Sequence, residues 1–282
     1  MKRYLLLISM LAAFVAESAA REVYRLNDDW TFYFRSENSA DDARNITLPH
    51  TWNLDALAGN SEYQRTTGNY MRRLYIPADW ASKRLFLRFD GVQTVADVFV
   101  NGYHVGEHRG GFTAFTFEIT GRVKFGAENR LLVVVSNSYR DDVLPTSTDM
   151  NLYGGIYREA ELILTERTAI SPLYLGSEGV LVRQQSVTPE KAEGEVEVHI
   201  TSKGDNSCML NVAITGPDGT RTYTKRQRAK LDGKPVVVPF TIENPALWSP
   251  DRPALYTVTT TIGDEAVTDS VTVRTGFRTI AA

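Results

Sequence analysis

The sequence predicts an all-β protein that is built from two packed β-sandwiches. From Arg21 onward the chain is a succession of short runs rich in branched and aromatic residues, separated by turn residues. Stretches with the period of an amphipathic helix are nearly absent, so crossover helices and a parallel sheet are not expected. The pattern changes near Ser171-Pro172, which predicts a short domain boundary there and two domains in close contact.

The first predicted domain is marked by a hairpin. Asn101-Gly102 separates two strand-length runs, and both residues tolerate the positive φ angles of a type I′ turn. The run Arg130–Ser136 is apolar on both faces, as is typical of a central strand. Many short antiparallel strands indicate a sandwich or a jelly roll. The predicted strands are 84–89, 95–100, 103–108, 112–119 and 130–136.

The second predicted domain contains seven strand patterns at a spacing of roughly ten residues, which is the interval of β-sandwiches. Turn residues separate them, as at Gly216-Pro-Asp-Gly219 and Asp232-Gly233. Seven strands in about a hundred residues is an immunoglobulin-like number, and without a cysteine pair a fibronectin-like sandwich remains. The predicted strands are 180–185, 194–202, 209–214, 220–226, 235–242, 256–262 and 266–274.

The first twenty residues predict a signal peptide. A basic start at Lys2-Arg3 precedes the apolar stretch Leu5–Val15, which is short for a bilayer span, and small residues end at Ala20. We expect cleavage after Ala20 and export to the periplasm or the outside of a bacterial cell. A retained membrane anchor is the alternative.

Composition excludes several classes of function. The net charge is -3 with mixed signs, so neither a nucleic acid nor a membrane surface is an expected partner. The single cysteine, Cys208, opens an apolar strand pattern and is predicted to be a buried, inert thiol. His104 and His108 lie four residues apart, but on a predicted strand they do not converge on a metal.

Several motifs in a fixed order resemble those of glycoside hydrolase family 2, which includes β-galactosidases, β-glucuronidases and β-mannosidases. The resemblance implies a jelly-roll sugar-binding domain at 21–168, an immunoglobulin-like β-sandwich domain at 169–278, and the start of a linker at 279–282. The motifs are Leu48-Pro-His-Thr-Trp-Asn53, Gly68-Asn-Tyr-Met-Arg-Arg73, Phe89-Asp-Gly-Val92, Asn101-Gly102 through Gly110-Gly-Phe112, Gly154-Gly-Ile-Tyr-Arg158, Asn244-Pro-Ala-Leu-Trp-Ser-Pro-Asp-Arg-Pro-Ala-Leu-Tyr256 and Gly276-Phe-Arg278.

The resemblance implies that the catalytic residues lie elsewhere. Retaining glycosidases need two carboxyl groups about 5 Å apart, and in the family both are glutamates of a (β/α)8 barrel that follows the Gly-Phe-Arg motif. Such a barrel takes about 250 residues, whereas four residues follow Arg278. We therefore expect this chain to lack the barrel and to be inactive alone. The adjacent acids Asp28-Asp29, Asp41-Asp42 and Asp141-Asp142 are expected to be solvated rather than catalytic.

Asp149 is the principal candidate site residue. By resemblance, the acid ahead of the glycine pair contacts hydroxyls of the sugar bound in the barrel, and in some β-galactosidases it helps to hold a sodium ion. A carboxylate suits this task because it accepts charge-assisted hydrogen bonds. The alternative is an acid that caps a turn. Asn53 is a second candidate for the same pocket, while Trp52 and Tyr70 are expected in the core rather than stacked on a sugar.

These observations predict the N-terminal, non-catalytic portion of an exported retaining glycosidase of β-galactosidase type. Its expected partners are a β-linked saccharide and the missing barrel, and no cofactor is required beyond the sodium ion near Asp149 in a full-length enzyme. An exposed apolar patch is expected where the barrel docks. The sugar, the linkage and homo-oligomer formation stay open. The alternatives are a free-standing carbohydrate-binding protein and a structural or adaptor pair of sandwiches.

Overall fold

The computed structural model describes residues 21–34, 43–54, 62–144 and 153–279. Within these ranges the regular structure is β-strand, apart from two short 3-10 helices at Ala78–Ser82 and Thr120–Arg122. The predicted all-β fold class is therefore confirmed. The described part of the chain holds no helix with the length and apolar character that a membrane span requires.

The first domain is a sandwich of two antiparallel sheets. One sheet has the strand order β1-β10-β5-β8, and the other has the order β3-β2-β4-β9-β6-β7. The predicted central strand is confirmed as β9, and at the predicted hairpin Asn101 and Gly102 have φ angles of 53° and 84°. The strands are β1 (Glu22–Arg25), β2 (Trp30–Phe34), β3 (Arg44–Ile46), β4 (Thr67–Ile76), β5 (Arg84–Phe89), β6 (Val95–Val100), β7 (Tyr103–Arg109), β8 (Phe115–Glu118), β9 (Ala127–Ser136) and β10 (Ala160–Thr165).

The core of the first domain follows from strand alternation. Trp30 and Phe32 on β2 face inward, and Phe32 is in register with Tyr70 on β4, which in turn is in register with Val133 on β9. All four side chains are at most 1% exposed. Each such buried apolar side chain contributes about 1.5–3 kcal/mol to folding. Inward-facing aromatic residues on β2 and β4 therefore hold the six-stranded sheet against its partner.

The second domain is also a two-sheet sandwich, with strand orders β12-β13-β17 and β16-β15-β18-β19, and the pair β11-β14 lies at the junction. Phe240, Tyr256 and Phe277 meet in its core. Cys208 is buried, and burial raises the pKa of its thiol to about 11, as expected for an inert cysteine. The strands are β11 (Thr168–Ile170), β12 (Val180–Val187), β13 (Lys191–Val198), β14 (Ile200–Ser202), β15 (Ser207–Thr215), β16 (Arg221–Lys230), β17 (Val236–Glu243), β18 (Tyr256–Ile262) and β19 (Asp269–Thr275).

One predicted strand, 194–202, is two strands in the structure. The ladder of β13 ends at Val198, and β14 then pairs with β11 at the domain junction. His199 marks the change, because its backbone bonds to Ser171 and Gly179 and its ring stacks on Tyr174 at 3.6 Å between centroids. The sequence pattern shows one continuous run because alternation does not record which strand each half pairs with.

Arginines of the first domain reach into the second domain. The side chain of Arg21 is 8% exposed, and it donates to both carboxylate oxygens of the fully buried Asp269, at 2.9 and 2.7 Å. It also donates to the carbonyl of Ile170 at 2.6 Å. On β5, Arg88 pairs with Glu178 at 2.7 Å. These contacts hold the two sandwiches together across the short boundary.

Replacing Arg21 with alanine should destabilise the protein strongly. The substitution leaves the carboxylate of Asp269 buried without its cation, and breaking a buried ion pair costs about 3–5 kcal/mol. Urea unfolding followed by tryptophan fluorescence measures the change. Arg25→Ala is the matched control, because that side chain is 72% exposed and its removal should change stability by less than about 0.5 kcal/mol. Equal effects of the two substitutions would contradict the interdomain role of Arg21.

Candidate functional site

The run that carries Asp149 enters the described part of the structure at Tyr153. Asp149 itself lies outside the described residues, so its contact with a sugar stays a prediction. The glycines that follow it are described. They lie at the end of the first sandwich where β4 begins and β9 ends. Gly155 pairs with Gln93, and the amide of the next residue, Thr94, donates to the carbonyl of Ser136, the last residue of β9.

Gly154, Gly155 and Ile156 are fixed on two sides by backbone hydrogen bonds. On one side, the amides of Trp52 and His50 donate to the carbonyls of Gly154 and Ile156, at 3.1 and 2.8 Å. On the other side, Gly155 and Gln93 exchange two backbone bonds, at 3.0 and 3.2 Å. The segment therefore lies as an added strand between Gln93 and the loop that carries His50 and Trp52, which we call the early loop. These four hydrogen bonds form a glycine clamp, and the clamp anchors the C-terminal side of the run that carries Asp149.

Only glycine fits at the two clamped positions. A β-carbon on Gly154 would overlap the indole ring of Trp52. Gly155 has a φ of +128°, and a β-carbon there would lie 2.6 Å from the carbonyl oxygen of His50 and would also overlap the hydroxyl of Tyr70. The glycine pair is thus required by close approach to aromatic side chains and to backbone.

Trp52 and Tyr70, which contact the glycines, form core and do not present a stacking surface. Trp52 is 7% exposed and Tyr70 is fully buried, and the Trp52 ring stacks on Phe32 at 5.8 Å. This confirms the expectation that both residues pack in the core. Burial raises the pKa of the Tyr70 hydroxyl, and this hydroxyl lies 2.7 Å from Nδ1 of His50.

His50 is kept neutral at this site. Burial, and then the nearby Arg44 guanidinium, lower the pKa of His50 to about 4. A neutral ring can accept a hydrogen bond from the Tyr70 hydroxyl at Nδ1, and protonation would remove that acceptor. The pair therefore joins the loop that carries His50 to β4 through a hydrogen bond that depends on the charge state of His50.

Asn53 is buried beside the glycine segment, and its side-chain amide forms two hydrogen bonds with the backbone of Gln64. It is 1% exposed, its amide group donates to the carbonyl of Gln64 at 2.9 Å, and its side-chain oxygen accepts from the Gln64 amide at 2.8 Å. Asn137 donates to the same carbonyl and accepts from the Thr66 amide. Asn53 thus holds the backbone of the loop that returns to β4, while its direct contact with a sugar stays a prediction.

Gln93 and Asn137 take part in this site and were not singled out from the sequence, whereas Tyr157 was noted there only as part of the Gly154–Arg158 motif. The Tyr157 hydroxyl donates to the carbonyl of Gly111, and the Gln93 side chain occupies the space that a β-carbon on Gly111 would need. The Gln93-Thr94 peptide bond is cis, and among the described residues neither Nε2 of Gln93 nor Oγ1 of Thr94 has a hydrogen-bond partner. A single glutamine or tyrosine between strand patterns carries no signal that predicts such contacts.

Large apolar side chains are exposed around the same end of the sandwich. Two of them flank the clamp directly: Tyr153 precedes Gly154, and Leu54 follows Asn53. The set comprises Leu54 (63% exposed), Phe112 (57%), Tyr139 (53%), Leu144 (73%) and Tyr153 (46%). Exposed apolar side chains grouped in this way are characteristic of a surface that another domain covers.

The described residues offer no acid–base pair at this site. Of the adjacent acids considered from sequence, Asp142 is paired with Arg109 and Arg140, and the Arg140 hydrogen bond is the main reason why its pKa is lowered. Asp41-Asp42 lie outside the described residues. Within the described ranges, no group of three or more histidine, cysteine or acidic side chains is placed to hold a metal. The glycine clamp and the exposed apolar side chains around it can position the run that carries Asp149 and a domain that covers this end of the sandwich.

Replacing Gly154 with alanine should destabilise the first domain by about 3 kcal/mol or more, because the added methyl group overlaps the indole ring of Trp52. The matched control is Gly121→Ala, since a β-carbon there meets nothing within 4 Å. Thermal unfolding of both variants measures the difference. If the Gly154→Ala variant were as stable as the Gly121→Ala variant, position 154 would not require glycine, which would contradict the close packing described here.

Stability should fall as the pH decreases from about 6.5 to 4. In this window His50 takes up a proton in the unfolded chain but not in the folded chain, because its folded pKa is about 4. The expected loss that is due to His50 is about 2–3 kcal/mol, discounted for its partial exposure. Across this range, the urea midpoint of His50→Gln should depend less steeply on pH than that of the unsubstituted protein. His104→Gln, at an exposed position, should keep the pH dependence of the unsubstituted protein. An unchanged slope in His50→Gln would refute this account.

Comparison with known proteins places this geometry in one family. The family model for the sugar-binding domain of glycosyl hydrolases family 2 matches residues 23–166, and a second model of glycosyl hydrolases family 2 matches residues 180–278. The predicted domains, 21–168 and 169–278, enclose these two ranges.

Individual relatives agree with the family models. A β-glucuronidase of Bacteroides fragilis is 43% identical over 268 residues, covering 92% of this chain and 38% of the relative. A β-galactosidase of Thermoanaerobacter pseudethanolicus is 30% identical over 278 residues, covering 92% and 36%. Among solved structures, Bacteroides uniformis β-glucuronidase 2, covalently bound to cyclophellitol-6-carboxylate aziridine, superposes with a TM-score of 0.79 at 31% identity, covering 92% of this chain and 32% of that chain.

The chain thus spans less than two fifths of the length of these relatives. It corresponds to their sugar-binding domain and to the immunoglobulin-like domain that follows it. The clamped glycine run, the two sandwiches and the matched family models together show that the chain belongs to glycoside hydrolase family 2.

Proposed function

We propose that this chain forms the sugar-binding and supporting domains of an exported, retaining glycosidase that removes terminal β-linked glucuronic acid. The observation that carries the choice of sugar is the 43% identity with the B. fragilis β-glucuronidase over 92% of the chain. The sequence motifs by themselves favoured a β-galactosidase type, and β-galactosides are the second candidate substrate because of the T. pseudethanolicus relative.

In this proposal the chain supplies one wall of the substrate pocket and not the reacting groups. The reacting carboxyl groups belong to a catalytic barrel, and the wall presents Asp149 to the sugar. A carboxylate there accepts hydrogen bonds from two hydroxyls at once, which neutral side chains do less strongly. The clamp on Gly154 and Gly155 supports this role, since it fixes the backbone five residues beyond Asp149. A sodium ion beside Asp149 remains part of the proposal for a full-length enzyme only.

Retention of configuration is proposed from the chemistry of a relative. The B. uniformis enzyme is solved with its inhibitor bound covalently, and a covalent glycosyl-enzyme intermediate is characteristic of retaining glycosidases. The exposed apolar side chains Leu54, Phe112, Leu144 and Tyr153 support a barrel as the partner that covers this end of the first sandwich.

Export is proposed from the first twenty residues, which lie outside the described ranges. Their basic start, apolar stretch and small residues before Arg21 are typical of a signal peptide. The buried ion pair of Arg21 supports cleavage after Ala20, because the expected mature chain would then begin at a residue that the fold fixes in place. A periplasmic or extracellular location follows from this proposal.

A chimaera tests both the family role and the proposed role of Asp149. Residues 21–278 replace the matching region of the B. fragilis β-glucuronidase, and turnover of p-nitrophenyl β-D-glucuronide is measured. We expect an active enzyme in which Asp149→Asn lowers kcat/KM by about 10- to 100-fold, the equivalent of a lost charged hydrogen bond. Asp79→Asn, an exposed acid in the first domain, is the control and should change kcat/KM less than twofold.

Three results would count against the proposal. A soluble, cooperatively unfolding chimaera without turnover would favour the adaptor alternative. Faster turnover of the β-D-galactoside than of the β-D-glucuronide would favour the second substrate. Full activity of the Asp149→Asn chimaera would reduce Asp149 to a turn residue. The chain by itself should show no turnover of either substrate above buffer, and clear activity would contradict the assignment of catalysis to a barrel.

A further inference from the structure

A groove crosses the outer face of the first domain, far from the glycine clamp. It lies where β4 approaches its end and β9 begins, and its volume is about 680 Å³. Arg130 in the groove is six residues from Ser136, where β9 meets the clamp, so about 20 Å of strand separates the two places. The lining includes Thr31, Met71, Arg73, Asn101, Glu128 and Arg130.

Two arginines face each other across the sheet in this groove. Arg73 on β4 and Arg130 on β9 are register partners, so their side chains leave the same face of the sheet directly opposite each other. Like charges in that arrangement are destabilising. Glu128 pairs with Arg73 at 3.0 Å and offsets one of the two charges.

Arg130 keeps its charge uncompensated. It is exposed, and its guanidinium lies 2.9 Å from the sulfur of Met71. Among the described residues no carboxylate forms an ion pair with it. Asp29 lines the same groove but at the edge formed by the start of β2. The groove therefore presents an exposed guanidinium that donates to Met71 but has no ion pair among the described residues, and the guanidinium geometry matches a carboxylate or a sulfate.

An exposed aromatic residue lies on the same strand as Arg73, next to the residues that line the groove. Tyr75 is 62% exposed, and it is the register partner of Glu128 on β9. It follows Arg73 by two residues along the strand, so both side chains are on the same face. An exposed ring has an apolar face that a sugar ring can cover, while the arginine and asparagine side chains supply hydrogen bonds to hydroxyls.

We propose that this groove is a second saccharide site and that it binds acidic oligosaccharides. The acidic group pairs with Arg130 and relieves its repulsion with Arg73, and the ring of Tyr75 covers an adjoining sugar. The volume is within the range of ligand sites, about 300–1,000 Å³. The proposal rests on the groove alone and does not require the glycosidase assignment, because every residue that it uses lies within the described ranges.

Isothermal titration calorimetry of the chain with three tetrasaccharides tests the proposal. The probes are unsulfated chondroitin tetrasaccharide, which carries carboxylates, its 4-sulfated form, and a neutral β-1,4-linked glucose tetrasaccharide. We expect the charged probes to bind at least tenfold more tightly than the neutral probe at 50 mM salt, and to weaken at 500 mM salt because of screening. The charged probe that binds more tightly identifies the preferred acidic group.

Two variants and two controls locate the bound probe. Arg130→Gln should weaken binding of the charged probes at least tenfold, and Tyr75→Ala at least fivefold. Both positions are exposed, so the fold should be retained, which thermal unfolding checks. The controls are Arg252→Gln and Tyr139→Ala, an exposed arginine and an exposed tyrosine outside the groove, and these should change affinity less than twofold.

Three outcomes would overturn the proposal: no binding of either charged probe at 1 mM, equal binding of the neutral probe, or unchanged affinity in Arg130→Gln. If Asp149→Ala abolished binding while Arg130→Gln preserved it, the sugar would be bound at the Asp149 run and not in this groove. That last result would leave the proposed function intact, so failure of the two proposals can be told apart.

Discussion

The close approach of the Gly154-Gly155 backbone to Trp52 and His50 is the constraint on which the functional end of the first domain depends. Four backbone hydrogen bonds hold this segment between the early loop and Gln93. Without β-carbons, the two glycines allow the indole ring and the Tyr70 hydroxyl to pack against the backbone itself. The same contacts that complete the core therefore fix the point from which the Asp149 run departs.

Buried polar groups connect this end of the molecule to its core. The His50 ring is kept neutral by burial, and it meets the Tyr70 hydroxyl at 2.7 Å. The side-chain amide of Asn53 donates one hydrogen bond to the backbone of Gln64 and accepts one from it. His50, Tyr70 and Asn53 thus have hydrogen-bond partners within the fold, and an unpartnered buried polar group would cost about 1–3 kcal/mol. The sugar-facing role is proposed for Asp149 instead.

Rigid attachment of the second sandwich gives the first one a fixed support. Arg21 places its charge against Asp269, which is fully buried, and Arg84 donates to Thr201 across the same junction while pairing with Glu118. An ion pair removed from water is specific in its geometry, because neither charge can be satisfied elsewhere. Two domains joined in this way can present a pocket wall and a docking surface as one unit.

The sequence by itself determined the fold class, the central strand at 130–136, the hairpin at Asn101-Gly102 and the family, because alternation, turn residues and motif order are local properties of the chain. Only the tertiary structure decided that the run 194–202 divides between two sheets, that Asn53 bonds to the backbone of Gln64, and that Arg73 and Arg130 face each other in a groove. These features depend on which segments meet across long sequence separations, and strand register records that pairing where sequence alternation does not.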